Sequence, residues 1–218
     1  MRIEADALFW DHDGLLVETE MLFYSITRDL VQTKGIEITE DLWSSEYLSK
    51  ARGTTAIVAD FGLRGAEAEA IIEIRNRRYY ELLEDAPPLC PFARETLTAL
   101  KKRFPMALVT GNSRRAINIV HRTTCLLSIF DDIITQDDFP NPKPAPDCYL
   151  LAARRLGAEP SRCVAIEDSE RGMNAALSAG MRCIVVPSAL TKRQKFDGAL
   201  AIEPSLERLP MFLHRRPE

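Results

Sequence analysis

The chain has 218 residues, enough for one large domain or for one domain with a smaller companion, and 46% of them are hydrophobic, as in ordinary globular proteins. Its 28 basic and 32 acidic residues leave a formal charge of −4, so there is no electrostatic reason to expect binding to nucleic acid or to an anionic membrane. Five scattered cysteines without CxxC spacing argue against a disulfide framework or a zinc site, and no apolar stretch approaches the roughly 20 residues of a membrane-spanning helix. The first residues, Met1-Arg2-Ile3-Glu4-Ala5-Asp6, show no signal-peptide pattern, so a cytoplasmic protein is expected.

Taken in order, the chain opens on Ala7-Leu8-Phe9-Trp10, an apolar run that stops abruptly at Asp11-His12-Asp13-Gly14. The run predicts a buried strand, and strand alternation sends Asp11 and Asp13 to one side with His12 opposite. Such a pair can be an active site at a strand end or simply a polar turn. A helical region follows. Leu22, Ile26 and Leu30, widened by Phe23 and Val31, make an apolar stripe that Lys34-Gly35 closes. A second helix starts near Thr39, a capping residue followed by two acids. Ser49-Lys50-Ala51-Arg52-Gly53-Thr54-Thr55 predicts a loop, and Phe61-Gly62-Leu63 ends a further short helix. A long helix over 66–83 is expected to bury Ile71, Ile72, Tyr79, Leu82 and Leu83 and to leave Arg75, Arg77 and Arg78 in solvent. The three prolines of Asp85-Ala86-Pro87-Pro88-Leu89-Cys90-Pro91 predict a linker. Beyond it helices (94–102, 114–124, 145–156, 171–179) alternate with strands (106–110, 132–135, 163–167, 182–186 and a short one at 200–202). That order predicts an α/β fold built on a doubly wound, mostly parallel sheet.

Two further strands end in polar clusters. Thr110-Gly111-Asn112-Ser113 precedes a helix, and its hydroxyl, its glycine and the free N–H groups of the helix end make either an anion cradle or ordinary loop material. Glu167-Asp168-Ser169 offers two oxygen ligands for a hard cation, or a helix cap. Between them, Asn141-Pro142-Lys143-Pro144-Ala145-Pro146-Asp147 holds one lysine in a stiff loop, able to present a point charge.

The order and wording of these clusters resemble the haloacid dehalogenase-like superfamily of phosphotransferases over nearly the whole chain. Asp11-His12-Asp13-Gly14-Leu15-Leu16-Val17-Glu18-Thr19-Glu20 follows the first motif, with Glu18-Thr19 in place of Asp-Ser. Thr110, Lys143-Pro144-Ala145-Pro146-Asp147 and Ile166-Glu167-Asp168-Ser169 match the other three. Gly172-Met173-Asn174-Ala175-Ala176 and the position of the helical insertion resemble the β-phosphoglucomutase-like branch, which also includes phosphoglycolate phosphatase-like enzymes. The resemblance implies a Rossmann-like core (residues 1–14 and 92–218) with an inserted all-helical cap (residues 15–91).

It also implies a mechanism. Asp11 attacks phosphorus to form an aspartyl-phosphate, and Asp13 protonates the leaving oxygen and then activates water. Thr110, Gly111, Asn112 and Lys143 hold the phosphoryl oxygens. A Mg2+ cofactor is held by Asp11, the main-chain carbonyl of Asp13 and Asp168, with Glu167 binding through water or orienting a ligand. The pKa values of Asp11 and Asp13 are expected to be pushed apart, so that one attacks while the other carries a proton. The second acid favours phosphate esters over dehalogenation.

In the cap, Lys50 and Arg52 are either the readers of an anionic or hydroxyl-rich substrate or a solvated basic turn. His12 is expected to be structural, and His121 and His214 to lie at the surface. The function implied is a Mg-dependent phosphatase of a small phosphorylated metabolite such as a sugar phosphate, acting as a monomer. A phosphohexomutase shares the catalytic set but has a different cap loop, and a non-catalytic phosphometabolite sensor would not need the full set of acids.

Overall fold

The computed structural model describes residues 2–85, 87–122 and 124–216, so Ala86 of the expected linker lies outside the described residues. Strands β1 (Ile3–Ala5) and β2 (Leu8–Trp10) are followed by helices α1 (Thr19–Gln32), α2 (Glu40–Leu42), α3 (Thr54–Asp60) and α4 (Gly65–Glu84). The rest alternates: α5 (Ala93–Lys101), β3 (Met106–Val109), α6 (Arg114–Val120), β4 (Asp132–Ile134), α7 (Asp147–Leu156), β5 (Val164–Glu167), α8 (Glu170–Ser178), β6 (Arg182–Val185) and β7 (Ala201–Ile202). The chain closes with α9 (Leu209–Phe212) and β8 (Leu213–Arg215). Six strands form one parallel sheet in the order β4-β3-β2-β5-β6-β7.

Side-chain alternation explains why these strands read as unbroken apolar runs. Leu8, Trp10, Leu108 and Ile166 face one core cluster, covered by Leu97 and Leu100 of α5 and Ile117 of α6. Phe9, Ala107, Val109 and Ala165 face the other, covered by Tyr149 and Ala152 of α7 and Met173 and Ala176 of α8. With both faces dry, neither parity of position needs polar residues. The central strand β2 pairs with β3 on one side and β5 on the other. The chain therefore winds first one way and then the other from β2, which opens a crevice at the carboxyl ends of the strands beside it.

The helices between β2 and α5 form the insertion over that crevice. In α4 the buried residues are Ala68, Ile71, Arg75, Tyr79 and Leu83, a stripe at three- and four-residue steps. This corrects two side-chain expectations, because helix geometry outranks residue type. Arg75 falls in the middle of the stripe and is buried, its guanidinium 4.3 Å from the centre of the Phe23 ring. Leu82 falls beside the stripe and is exposed.

A π-helix at Trp43–Ser49 continues α2 where only an α-helix start had been expected. The pairing of β1 with β8, a two-stranded parallel sheet joining the chain ends, was not predicted either; each strand is three residues long. The insertion is tied to the core by Gln194 Nε2, which donates to the Ser44 carbonyl and hydroxyl at 3.1 Å each, and by Ser49, which donates to the Glu170 carboxylate. The five cysteines are unpaired, and among the described residues no helix is long and apolar enough to cross a membrane.

Candidate active site

Asp11 is the last residue tied into the sheet, its N–H donating to the Ile166 carbonyl at 3.0 Å. The chain then turns through Gly14, whose φ of +75° favours glycine. A Cβ there would also lie 2.6 Å from Asp168 Oδ2, so both backbone and space demand this residue. Asp11 Oδ1 accepts from Lys143 Nζ at 2.7 Å, and the same ammonium donates to Glu167 Oε1 at 2.7 Å and to the Val109 carbonyl at 3.1 Å. Glu167, fully buried at the end of β5, also accepts from the Tyr149 hydroxyl. Burial works against the charge on Lys143, but Asp11 and Glu167 outweigh it and hold the ammonium protonated. Burial and then Glu167 push the Asp11 carboxyl up to about 7 against the pull of Lys143. Burial, with Asp11 and Glu167, raises Asp168 well above the usual range.

Ligand oxygens of Asp11, Glu167 and Asp168 lie within 4.8 Å of one another. Three carboxylates crowd round one ammonium, and ionising all three would leave two negative charges uncompensated in a buried place. Glu167 Oε2 is buried without a hydrogen-bond partner among the described residues. An all-oxygen donor set with this surplus fits a hard divalent cation such as Mg2+.

Asp13 faces the same cavity from another direction. Its Oδ2 accepts from Thr110 Oγ1 at 3.0 Å, and its Oδ1 accepts from Asn112 Nδ2 at 2.7 Å and from the Thr19 hydroxyl. Burial would raise this carboxyl, but His12 and the hydroxyls of Thr19 and Thr110 bring it down to about 2. The two acids are thus pushed apart with Asp13 the lower. This is the opposite sense from an ionised Asp11 beside a proton-carrying Asp13, because in the protein alone Asp11 crowds against two other carboxylates. Thr110 is fully buried, turned toward Asp13 and capped by the Asn112 N–H at 3.0 Å. Gly111 and Asn112 reach the cavity itself.

The cavity has a volume of about 350 Å³. The core contributes Asp11, Asp13, Lys143 and Asp168, and also Gln136 and Arg171; the insertion contributes Glu20, Phe23, Tyr47, Leu48 and Tyr79. Lys50 and Arg52 are not among the lining residues. Lys50 pairs with Glu46 at 2.6 Å, and Arg52 pairs with Glu46 at 2.9 Å and Asp60 at 2.8 Å.

The cation that reaches the cavity besides Lys143 is Arg171, whose Nε is buried without a partner among the described residues. Burial and the nearby Asp13 charge push Glu20 up to about 7, against Arg171 and a 3.3 Å hydrogen bond from the Trp43 indole. Sequence reasoning placed Tyr79 in the core and gave Tyr47 and Arg171 no role. Only Glu20 carried a signal, as the acid closing the first motif at the start of α1.

His12, just beyond the end of β2, is wholly buried and does not line the cavity. His121 is not at the surface as expected: it is buried against His12, with Nε2 to Nε2 at 2.9 Å. The two lie too far apart in sequence for spacing to reveal the pair.

A family model described as haloacid dehalogenase-like hydrolase matches residues 8–186. Hexitol phosphatase B of Escherichia coli (strain K12) is 30% identical over 188 residues, 84% of this chain and 83% of that protein. The phosphorylated carbohydrates phosphatase of Thermotoga maritima is 31% identical over 184 residues, 82% of this chain and 83% of that protein. Among solved structures, a mutant of CbbY from Rhodobacter sphaeroides in complex with xylulose-(1,5)bisphosphate superposes with a TM-score of 0.78 at 27% identity, covering 94% of this chain and 96% of that one.

Proposed function

The chain belongs to the haloacid dehalogenase-like hydrolase family, and from that premise we propose that it is a phosphatase releasing inorganic phosphate from a phosphorylated sugar or polyol through an aspartyl-phosphate on Asp11. The observation that carries this reading is the pairing of two acids in one cavity: Asp11 on Lys143 at 2.7 Å, and Asp13 held separately by Thr110 and Asn112.

In the first step an Asp11 oxygen attacks phosphorus, the bond from phosphorus to the sugar oxygen breaks, and Asp13 in its acid form gives that oxygen a proton. In the second, water attacks phosphorus, Asp13 takes the proton, and the bond to Asp11 breaks, which returns both carboxyls to their starting states. Lys143 offsets charge on the phosphoryl oxygens, and the Gly111 and Asn112 backbone lies beside them. Mg2+, held by Asp11, Asp168 and the main-chain carbonyl of Asp13 with Glu167 close by, would supply charge neutralisation and in-line orientation of the phosphoryl group.

Residues 1–14 and 92–218 serve as the catalytic core and residues 15–91 as the cap that excludes water. The wall facing the phosphate end carries Glu20, Tyr47, Tyr79 and Arg171, a set of hydrogen-bonding groups suited to several hydroxyls or a second anion. The relatives named for hexitol and carbohydrate phosphates support the same substrate class. The unpaired cysteines suit a reducing cytoplasm.

The test is phosphate release from a panel of hexose, pentose and hexitol phosphates with Mg2+, against an Asp11→Asn control. Turnover of at least one ester, abolished in the control, is expected. No release above the control on any ester overturns the reading, and so does an isomerised sugar phosphate formed in place of free phosphate.

A further inference from the structure

The proton-carrying acid has a buried backing that neither step of the reaction uses. His12 Nδ1 lies 3.1 Å from Asp13 Oδ1, His12 Nε2 lies 2.9 Å from His121 Nε2, and His121 Nδ1 lies 2.6 Å from Thr124 Oγ1. The rings meet edge to face, with centroids 5.0 Å apart and planes at 78°. Neither imidazole lines the cavity. Two buried imidazoles need partners for four ring nitrogens, a demand that an apolar pair at the same place would not make. Here three contacts take up the four nitrogens between Asp13 and Thr124: two are hydrogen bonds, and the third, from His12 Nδ1 to Asp13 Oδ1, is a close charge-paired approach outside hydrogen-bond geometry.

The direction of the hydrogens follows from the ends of this chain. Thr124 Oγ1 accepts the Leu126 N–H at 3.3 Å, which leaves its own hydrogen free for His121 Nδ1. Burial and the neighbouring His12 push His121 down to about 3, so it is neutral and carries one hydrogen. With Nδ1 accepting, that hydrogen sits on Nε2 and faces His12 Nε2, and the hydrogen on His12 Nδ1 faces the Asp13 carboxylate. The reverse order would set a nitrogen lone pair 3.1 Å from a carboxylate oxygen. Asp13 itself is asymmetric in the same sense. Oδ1 gathers Thr19, Asn112 and the His12 edge, whereas Oδ2 has only the Thr110 hydroxyl. Oδ1 is the anchored oxygen and Oδ2 the one left to move a proton.

We propose that His121 is a positioning residue for the proton transfer: by fixing the tautomer and ring angle of His12, it holds Asp13 Oδ1 so that Oδ2 is presented to the leaving oxygen. This rests on the phosphatase reading, in which Asp13 is the acid. It is the logic of a catalytic group oriented by a second residue that is itself oriented by a third.

The test uses the full-length protein, with two substrates and one spectroscopic readout. A sugar phosphate needs a proton on its leaving oxygen, whereas p-nitrophenyl phosphate leaves without one. His121→Leu is expected to lower kcat/KM for the sugar phosphate by about tenfold or more, part of the roughly 10²- to 10⁴-fold worth of a general acid, while kcat/KM for p-nitrophenyl phosphate stays within about twofold. His121→Gln, which keeps an amide donor near the Nε2 position, is expected to recover most of the loss. Parallel loss on both substrates in a variant that melts like the wild type, or no loss on either, overturns the proposal.

Independently of turnover, ¹⁵N spectra of histidine-labelled protein are expected to show His12 protonated on Nδ1 and His121 on Nε2, with the His12 signal changed in His121→Leu. His12 protonated on Nε2 in the wild type overturns the proposal even if the enzyme is active. Absence of any phosphate release from the wild type with these tautomers in place refutes the phosphatase reading instead.

Discussion

Gly172 offers a test in which two physical arguments give opposite signs. It is the third residue of α8, where helix propensity alone favours Gly172→Ala by about 0.5–1 kcal/mol. A Cβ at this position, however, would lie 2.0 Å from Glu167 Oε2, 2.1 Å from its Cδ and 2.3 Å from its Oε1. Glu167 is no mobile chain end. It is fully buried, and its Oε1 receives Lys143 at 2.7 Å together with the Tyr149 hydroxyl, so a retreat of an ångström breaks the contacts that neutralise it. Overpacking of this kind costs about 1–3 kcal/mol, and separating a buried ion from its partner about 3–5 kcal/mol. Even after the helix gain the variant should lose about 2 kcal/mol or more, which at roughly 2–4 °C per kcal/mol for a chain of this size lowers Tm by at least about 4 °C. Turnover should fall with it, because Lys143 loses one of its two carboxylate anchors. Shortening the acid in Gly172→Ala/Glu167→Asp should recover part of both losses, giving a coupling energy above about 0.5 kcal/mol in a double-mutant cycle. Thermal melts and phosphate-release assays of the four proteins decide it. Gly172→Ala melting at or above the wild type with full activity would refute the argument.

The same buried carboxylates make stability depend on pH and on metal. Asp11 and Glu20, each pushed up to about 7, hold more protons folded than unfolded between about pH 4 and 7, so the stability of the metal-free protein should fall as pH rises through that window. Asp13, pulled down to about 2, acts in the other direction, and its contribution disappears as pH falls from about 4 toward 2. Melts in chelator at pH 5 and 8 should therefore show a lower Tm at pH 8, with added Mg2+ raising Tm more at pH 8 than at pH 5; equal increments would mean that Mg2+ does not neutralise this cluster. For substrate reading, Arg171→Ala should raise KM for a sugar phosphate by about tenfold, the order of one charge-assisted hydrogen bond. Lys50→Ala, which removes an exposed cation already paired with Glu46, should leave KM within about twofold. A larger effect at Lys50 than at Arg171 would return the cap loop to the substrate.

What the sequence discloses and what it hides divide along the range of the interactions involved. The strand ends were legible because the interior of a fully buried parallel strand is apolar on both faces, so the first polar residue after Trp10, Val109 or Ile166 marks the end of the strand. In a parallel sheet those exits fall on one edge, and Asp11, Thr110 and Glu167 could be brought together on paper. Lys143 was legible for a related reason, since prolines on either side fix where it can point.

The cap was less open to this reasoning. In α4 the same helical stripe carries Ile71, Arg75 and Tyr79 to the interior, and nothing local tells the position that packs on Phe23 from the position that lines the cavity. Lys50 and Arg52 looked available because Glu46 and Asp60, the acids that hold them, sit four to eight residues away on helical turns whose geometry was not predicted. The His12–His121 contact is the extreme case. It spans 109 residues and joins the end of β2 to the end of α6, so no periodicity or motif could announce it. Alternation did predict that His12 turns from the cavity, and solvent or core would have satisfied that geometry equally well. It meets a second imidazole instead, and it is His12 that, with the hydroxyls of Thr19 and Thr110, brings the Asp13 carboxyl down, so the least legible contact in the chain backs the neighbour of the acid that the first motif made most conspicuous.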